Sequence, residues 1–199
     1  MAYFSDRVDA GKRLAKELTN FAGKKGIVLA IPRGGVVVAA EIATSLKLPL
    51  DVIIPRKIGA PDNPELAIGA IAEDGTVILD KSLVAYLGVS PQYIKEESER
   101  QRQEILRRMK FYRQTAPYPN LKGLDVIIVD DGIATGSTMK AALASVKNRG
   151  AASVTIAVPV GPPQTIQELE KQADRVVCPY KPEYFQAIGQ FSITSWSAV

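Results

Sequence analysis

The sequence predicts an α/β fold, a parallel sheet with helices on both faces, and three observations predict it. Short β-rich runs alternate with helical patterns along most of the chain. The runs are nearly continuously apolar, as strands buried on two faces must be. With 199 residues, 46% of them hydrophobic and 23% charged, the chain also has the size and composition of a globular domain whose core needs no disulfide or metal. One domain over residues 1–199 is the expectation.

Near the start, Val8, Leu14, Leu18 and Phe21 recur at helical spacing, so Val8–Phe21 reads as an amphipathic helix. Strands are expected at Gly26–Ile31, Leu50–Pro55, Leu124–Asp130, Ser153–Pro159 and Arg175–Cys178. Helices are expected at Gly35–Leu46, Ser137–Arg149 and Ile166–Gln172. Thr165 with Glu168 three residues later forms a capping box that sets the start of the last helix.

Two regions depart from the alternation. Leu66–Ala72 and Thr76–Asp80 flank Asp74-Gly75, a dipeptide suited to the positive φ of a hairpin turn, so a small antiparallel excursion is expected there. Pro91–Tyr112 is a charged helix in which Glu96–Arg100, Ser98–Arg102 and Glu104–Arg108 stand four residues apart. Mixed charge at that spacing describes a solvated helix rather than a nucleic-acid face, and nucleic acid is not an expected partner. Residues 58–120 therefore read as a large insertion, a hairpin-and-helix lid capping one edge of the sheet.

Histidine is absent, which removes Ser-His-Asp and Cys-His nucleophile systems and most zinc sites. Carboxylates, Lys, Arg, Tyr, backbone amides or a hard cation remain for chemistry. The single cysteine, Cys178, lies in an apolar run with Val176 and Val177 and reads as a core thiol with no partner for an internal disulfide. No apolar stretch approaches the roughly 20 residues that span a bilayer. Asp6, Arg7 and Asp9 interrupt the start where a secretory leader needs its apolar region. A cytoplasmic protein without a membrane partner is expected. The net charge of +4 suits an anionic small ligand as well as nucleic acid and decides nothing alone.

The segment that carries chemistry is Val126–Met139: an apolar strand, then Asp130 and Asp131, a short loop, then a helix. Where a parallel strand gives way to a helix, the backbone amides of Ala134 to Thr138 point into one concavity with the positive helix end behind them, which suits a phosphate. Thr135, Ser137 and Thr138 add hydroxyl donors, and Gly136 lets the backbone approach an anion closely. Asp130 and Asp131, just before the loop, can accept hydrogen bonds from vicinal hydroxyls. Phosphate beside a diol describes a ribose 5-phosphate. The segment is neither a Walker A loop, since no Gly-Lys-Ser/Thr follows, nor a Rossmann fingerprint.

Across Val126–Met139 the sequence resembles the 5-phosphoribosyl-1-diphosphate motif of the type I phosphoribosyltransferases. The resemblance implies that Asp130 and Asp131 hold the ribose hydroxyls, and that Ala134, Thr135, Gly136, Ser137 and Thr138 wrap the 5′-phosphate. Ile31-Pro32-Arg33-Gly34-Gly35 resembles the family's pyrophosphate loop, which assigns Arg33, Gly34 and Gly35 to the leaving group. Arg56 and Lys57, at the end of the expected second strand, resemble its basic pyrophosphate residues and join Asp130 and Asp131 as catalytic candidates. The expected fold is then type I phosphoribosyltransferase-like, with the lid drawn from residues 58–120 and a small C-terminal hood at about 179–191. In the hood, Tyr180, Tyr184 and Phe185 offer aromatic faces to an acceptor ring. Glu65 is a lesser acid–base candidate in the lid.

The resemblance further implies transfer of the phosphoribosyl group to a nitrogenous acceptor with loss of pyrophosphate. Mg²⁺ is inferred from the ligand, coordinated mainly by substrate oxygens, with no protein metal-ligand set. A homo-oligomer, a homodimer, is also implied. Enzymes of the family that act on 6-oxopurines carry an Asp where this chain has Ala134, which argues against hypoxanthine or guanine as the acceptor. Two other readings stay open on sequence: a regulatory protein that senses phosphoribosyl diphosphate or a nucleotide and binds nucleic acid or protein through Pro91–Tyr112, and a hydrolase of the same ligands.

Overall fold

The computed structural model describes residues 3–114 and 116–183. In chain order its elements are α1 (Arg7–Glu17), β1 (Gly26–Ala30), α2 (Gly34–Leu46), β2 (Leu50–Val52), β3 (Arg56–Ala60), β4 (Asn63–Ile71) and β5 (Val77–Leu79). There follow α3 (Lys81–Tyr86), α4 (Pro91–Arg113), β6 (Asp125–Val129), α5 (Ser137–Asn148), β7 (Ser153–Ala157), α6 (Pro163–Glu170) and β8 (Arg175–Val177). The chain divides into two compact units. The first holds the residues up to Val52, Asn120–Gly136 and the chain from Val146; the second holds Ile53–Pro119 and Ser137–Ser145.

The first unit is built on a parallel sheet of order β2-β1-β6-β7-β8, whose strands are the five expected from sequence. Val28, Ala30, Ile127, Val129, Ala157 and Val177 on one pleat face form a core with Leu14 and Leu18 near α1 and with Val38, Ile42 and Leu46 of α2. The opposite pleat residues Ile27, Leu29, Val126, Ile128, Val154 and Ile156 are buried as well. A strand buried on both faces has no polar side to show, which is why these runs lack alternation. Each such aliphatic side chain contributes about 1.5–3 kcal/mol by leaving water. α1 begins at Asp6, whose carboxylate accepts the amide of Asp9 at 2.7 Å and so satisfies one of the donors a helix start leaves unpaired.

Two boundaries differ from the sequence reading for identifiable reasons. The second strand stops at Val52 rather than continuing to Pro55. Pro55 has no amide hydrogen to give a ladder, and the apolar Ile53 and Ile54 that extended the expected run are buried outside β2. The last helix starts at Pro163 with Pro162 as its cap residue, so Thr165 and Glu168 do not form the capping box. Proline's fixed φ suits the first helical position and sets the start earlier.

The second unit carries an antiparallel sheet of order β3-β4-β5. The expected hairpin is β4 and β5: Gly75 takes φ +88°, and the amide of Ala72 donates to the carbonyl of Thr76 at 2.8 Å. β3 has no counterpart among the strands expected from sequence. It pairs with β4 through two register shifts, and at one of them Gly59 passes so close to Pro64 that an added Cβ would lie 2.5 Å from the Pro64 carbonyl oxygen. α4 packs on β3 and β4, and the hydroxyl of Tyr93 donates to the Gly59 carbonyl at 3.0 Å.

α4 buries only Glu97 and Ile105, as a largely solvated helix does. Its ion pairs are not those expected, apart from Glu104–Arg108. Arg100 pairs with Glu97, Arg102 with Glu99 and Arg107 with Glu104, all three residues apart. Both spacings bring side chains together on a helix, so sequence spacing alone does not choose between them. Among the described residues no helix is long and apolar enough to cross a membrane.

Candidate active site

Parallel pairing of β1 with β6 sets the chain segments that leave them side by side. The amide of Ile31 donates to the carbonyl of Val129 at 2.8 Å, one residue beyond the last paired position of β1. Ile31-Pro32-Arg33-Gly34-Gly35 then turns into α2, with a cis peptide between Pro32 and Arg33 and the Arg33 side chain exposed. On the neighbouring strand the chain continues into Asp130 and Asp131. The two segments are in direct contact. A Cβ on Gly35 would lie 2.9 Å from the Val129 carbonyl oxygen and 3.0 Å from the Cα of Asp130, and one on Gly34 would overlap the carboxylate of Asp131. Glycine at both positions is thus what lets the first turn of α2 sit against the acidic pair.

The two acids are half-buried and differ in electrostatics. The amide of Asp131 donates to Oδ1 of Asp130 at 2.8 Å. Burial pushes the carboxyl of Asp130 well above the ordinary carboxylate range, and the neighbouring charge of Asp131 adds to the rise. Asp131 instead meets a cation: Nε and Nη2 of Arg7, in α1, donate to its Oδ2 at 2.9 and 2.7 Å. Sequence reasoning missed Arg7, because nothing local links residues 124 positions apart in the chain.

The loop after the acids is fixed by its neighbours. The amide of Ile133 donates to the Val160 carbonyl at 2.9 Å, and the hydroxyl of Thr165 donates to the Ala134 carbonyl at 2.9 Å. Ala134 and Thr135 are exposed. Gly136 takes φ +74° and passes close to α6, where an added Cβ would lie 2.8 Å from Cγ2 of Thr165. Ser137 opens α5, and Thr138 is in its first turn.

Arg56 and Lys57 do not end a parallel strand; they begin β3 in the second unit, because the second strand stops early. Nε of Arg56 donates to Oε1 of Gln101 at 3.0 Å, and burial, with Arg108 nearby, lowers its guanidinium below the usual range. Nζ of Lys57 donates to Oε2 of Glu65 at 2.6 Å, and that bond holds Glu65 below its ordinary value. A carboxylate held ionised on an exposed strand is poorly suited to general-acid work at neutral pH.

Tyr180 stacks on Tyr3 with ring centres 4.5 Å apart and planes 11° from parallel. Tyr184 and Phe185 lie outside the described residues. Burial pushes the Cys178 thiol up to about 12, which leaves it an unreactive, largely apolar filler. Among the described residues no three His, Cys, Asp or Glu side chains gather as a metal-ligand group.

The chain matches the family model described as phosphoribosyl transferase domain over residues 5–196. It is 44% identical over 190 residues to a Mycobacterium tuberculosis protein named "Putative phosphoribosyl transferase Rv0571c", covering 96% of this chain and 43% of the relative. The chain therefore spans less than half the length of that relative. Among solved structures, TT1426 from Thermus thermophilus superposes with a TM-score of 0.80 at 42% identity, covering 95% of this chain and 89% of that one. A purine phosphoribosyltransferase from Pyrococcus horikoshii shares the fold with a TM-score of 0.51 at 21% identity, over 90% of this chain and 85% of that one. A hypoxanthine phosphoribosyltransferase from Staphylococcus aureus does so with 0.55 at 16% identity, over 93% and 79%.

Proposed function

The chain belongs to the phosphoribosyl transferase domain family, and on that premise we propose that it is a pentosyltransferase acting on 5-phosphoribosyl-1-diphosphate. The observation that carries this reading is the contact of Gly34 and Gly35 with Asp131 and Asp130. A turn with a helix start behind it, which suits a diphosphate, lies against two carboxylates, which suit a diol. 5-Phosphoribosyl-1-diphosphate carries both groups on one sugar.

In this reading Asp130 and Asp131 bind the ribose hydroxyls, and the chain from Ala134 through Thr135, Gly136, Ser137 and Thr138 takes the 5′-phosphate. Arg33, Gly34 and Gly35 take the pyrophosphate. For Arg56 and Lys57 the same role rests on the family resemblance. A lone pair on the acceptor nitrogen attacks C1′, and the C1′–O bond breaks with its electron pair leaving on pyrophosphate. Positive charge grows on the sugar as this happens, and in this reading the carboxylate of Asp131 stabilises it. The diphosphate and diol oxygens of the substrate suit Mg²⁺, so the ion would be carried in mainly on the substrate. When bound, Mg²⁺ supplies neutralisation of the diphosphate. Ala134, exposed where a 6-oxopurine enzyme would carry an acid, favours another nitrogenous acceptor. A cytoplasmic homo-oligomer is consistent with this role.

The test is turnover. The purified protein, with donor, Mg²⁺ and a panel of nitrogenous acceptors, is expected to release pyrophosphate only when an acceptor is present. Release without any acceptor would make it a hydrolase. Tight donor binding with no release across the panel would make it a sensor and sink the enzyme reading.

A further inference from the structure

Arg7 grips one oxygen of the Asp131 carboxylate. Nε and Nη2 of Arg7 both bond Oδ2, at 2.9 and 2.7 Å, and neither bonds Oδ1. The pair is sheltered, with side-chain exposures of 21% for Arg7 and 16% for Asp131, so it is screened less than a surface ion pair and holds its geometry better. Gly34 makes room for it, since an added Cβ would lie 2.9 Å from Nε of Arg7 as well as overlapping Asp131. Two nitrogens on one oxygen prevent the carboxylate from rotating about its last bond.

We propose that Arg7 is a positioning residue for the sugar: by clamping Oδ2 of Asp131 it presents Oδ1 to one hydroxyl of the ribose diol, and so sets the preference for ribose over a deoxyribose. Arg7 acts through Asp131 and touches no reacting atom. The inference rests on the reading of Asp131 as a ribose-binding residue.

Titration calorimetry with ribose 5-phosphate, its 2-deoxy and 3-deoxy analogues and inorganic phosphate tests it. Wild-type protein is expected to favour ribose 5-phosphate over one of the two deoxy analogues by about tenfold, the usual worth of a hydrogen bond to a charged group. Arg7→Gln is expected to bring that ratio close to unity while leaving inorganic phosphate affinity unchanged. Asp131→Asn is expected to do the same, and the double variant to add nothing further, because both changes remove one interaction. Arg7→Lys, which keeps the charge but not the two-nitrogen grip, is expected to fall between; it also serves if Arg7→Gln does not fold.

A preserved ratio in folded Arg7→Gln or Arg7→Lys overturns the inference. So does an equal loss of affinity for all four ligands, which is the mark of a merely structural residue. A wild-type protein that binds phosphate without distinguishing the sugars overturns the ribose assignment itself, a failure separate from that of Arg7.

Discussion

A Cβ on Gly34 would fall within the carboxylate of Asp131 and lie 2.9 Å from Nε of Arg7. α2 therefore cannot begin with a residue that bears a side chain while that ion pair keeps its place. Gly34→Ala is expected to cost about 1–3 kcal/mol in denaturant unfolding, the scale of overpacking a close contact, and to weaken donor binding in the folded fraction. Unchanged unfolding together with unchanged donor affinity would show that the two segments have room that the geometry denies them.

Asp130 is held above the ordinary carboxylate value of 3.8 by burial and by Asp131. A group whose folded pKa is raised keeps its proton in the folded chain after the unfolded chain has lost it. It therefore costs stability progressively as pH rises from about that ordinary value to the folded value, and the full cost persists above it. Asp130→Asn removes the charge and keeps an oxygen able to accept from the Asp131 amide. The variant is expected to be more stable than wild type at neutral pH by about 1–3 kcal/mol, the scale of desolvating a buried polar group, and to match it below about pH 4. A stability difference that does not depend on pH would contradict the buried, proton-holding carboxyl. Donor affinity should fall in the same variant, so stability and binding are expected to move in opposite directions.

What the sequence revealed and what it withheld divides along physical lines. The parallel strands were legible because burial on both faces leaves an apolar run, and the hairpin because Asp74-Gly75 is a turn with a backbone requirement. The segment from Val126 to Met139 was legible because strand, acids, loop and helix are contiguous. β3 was hidden: it opens with Arg56 and Lys57 and pairs through register shifts at Gly59, so it shows neither an apolar run nor alternation. The Arg7–Asp131 pair was hidden because it joins residues far apart in the chain, and no local pattern encodes it. The start of α6 was misread because Pro162 and Pro163 outweigh the Thr165–Glu168 signal.

Glu104 accepts from Arg107 at 2.7 and 2.9 Å and from Arg108 at 2.8 Å, and these bonds bring its carboxyl down to about 2. A depressed carboxylate contributes to stability above its unfolded value and loses that contribution as pH falls through the folded one. The side-chain carboxyl resonance of Glu104 is thus expected to titrate well below the ordinary 4.5, and neutralising both Arg107 and Arg108 should return it there. A normal titration in wild type would mean that these two guanidiniums do not hold their partner in solution.

Gly136 and Thr165 define how tightly the loop after the acids is held. The Thr165 hydroxyl bonds the Ala134 carbonyl at 2.9 Å, while Gly136, at φ +74°, leaves no space for a Cβ beside Cγ2 of Thr165. Two substitutions separate the contributions. Thr165→Val keeps the shape and the methyl but loses the hydrogen bond, and is expected to lower stability by about 1 kcal/mol. Gly136→Ala forces a side chain into a left-handed backbone and a steric conflict together, and is expected to cost about 1–3 kcal/mol and to weaken inorganic phosphate binding more than Thr165→Val does. Because Arg7 and Asp131 stay in place in both variants, the preference for ribose 5-phosphate over the deoxy analogues should survive them. If Gly136→Ala removed the sugar preference while sparing phosphate, the loop would not be the phosphate-binding part of the site, and the assignment of Ala134 to Thr138 would have to be abandoned.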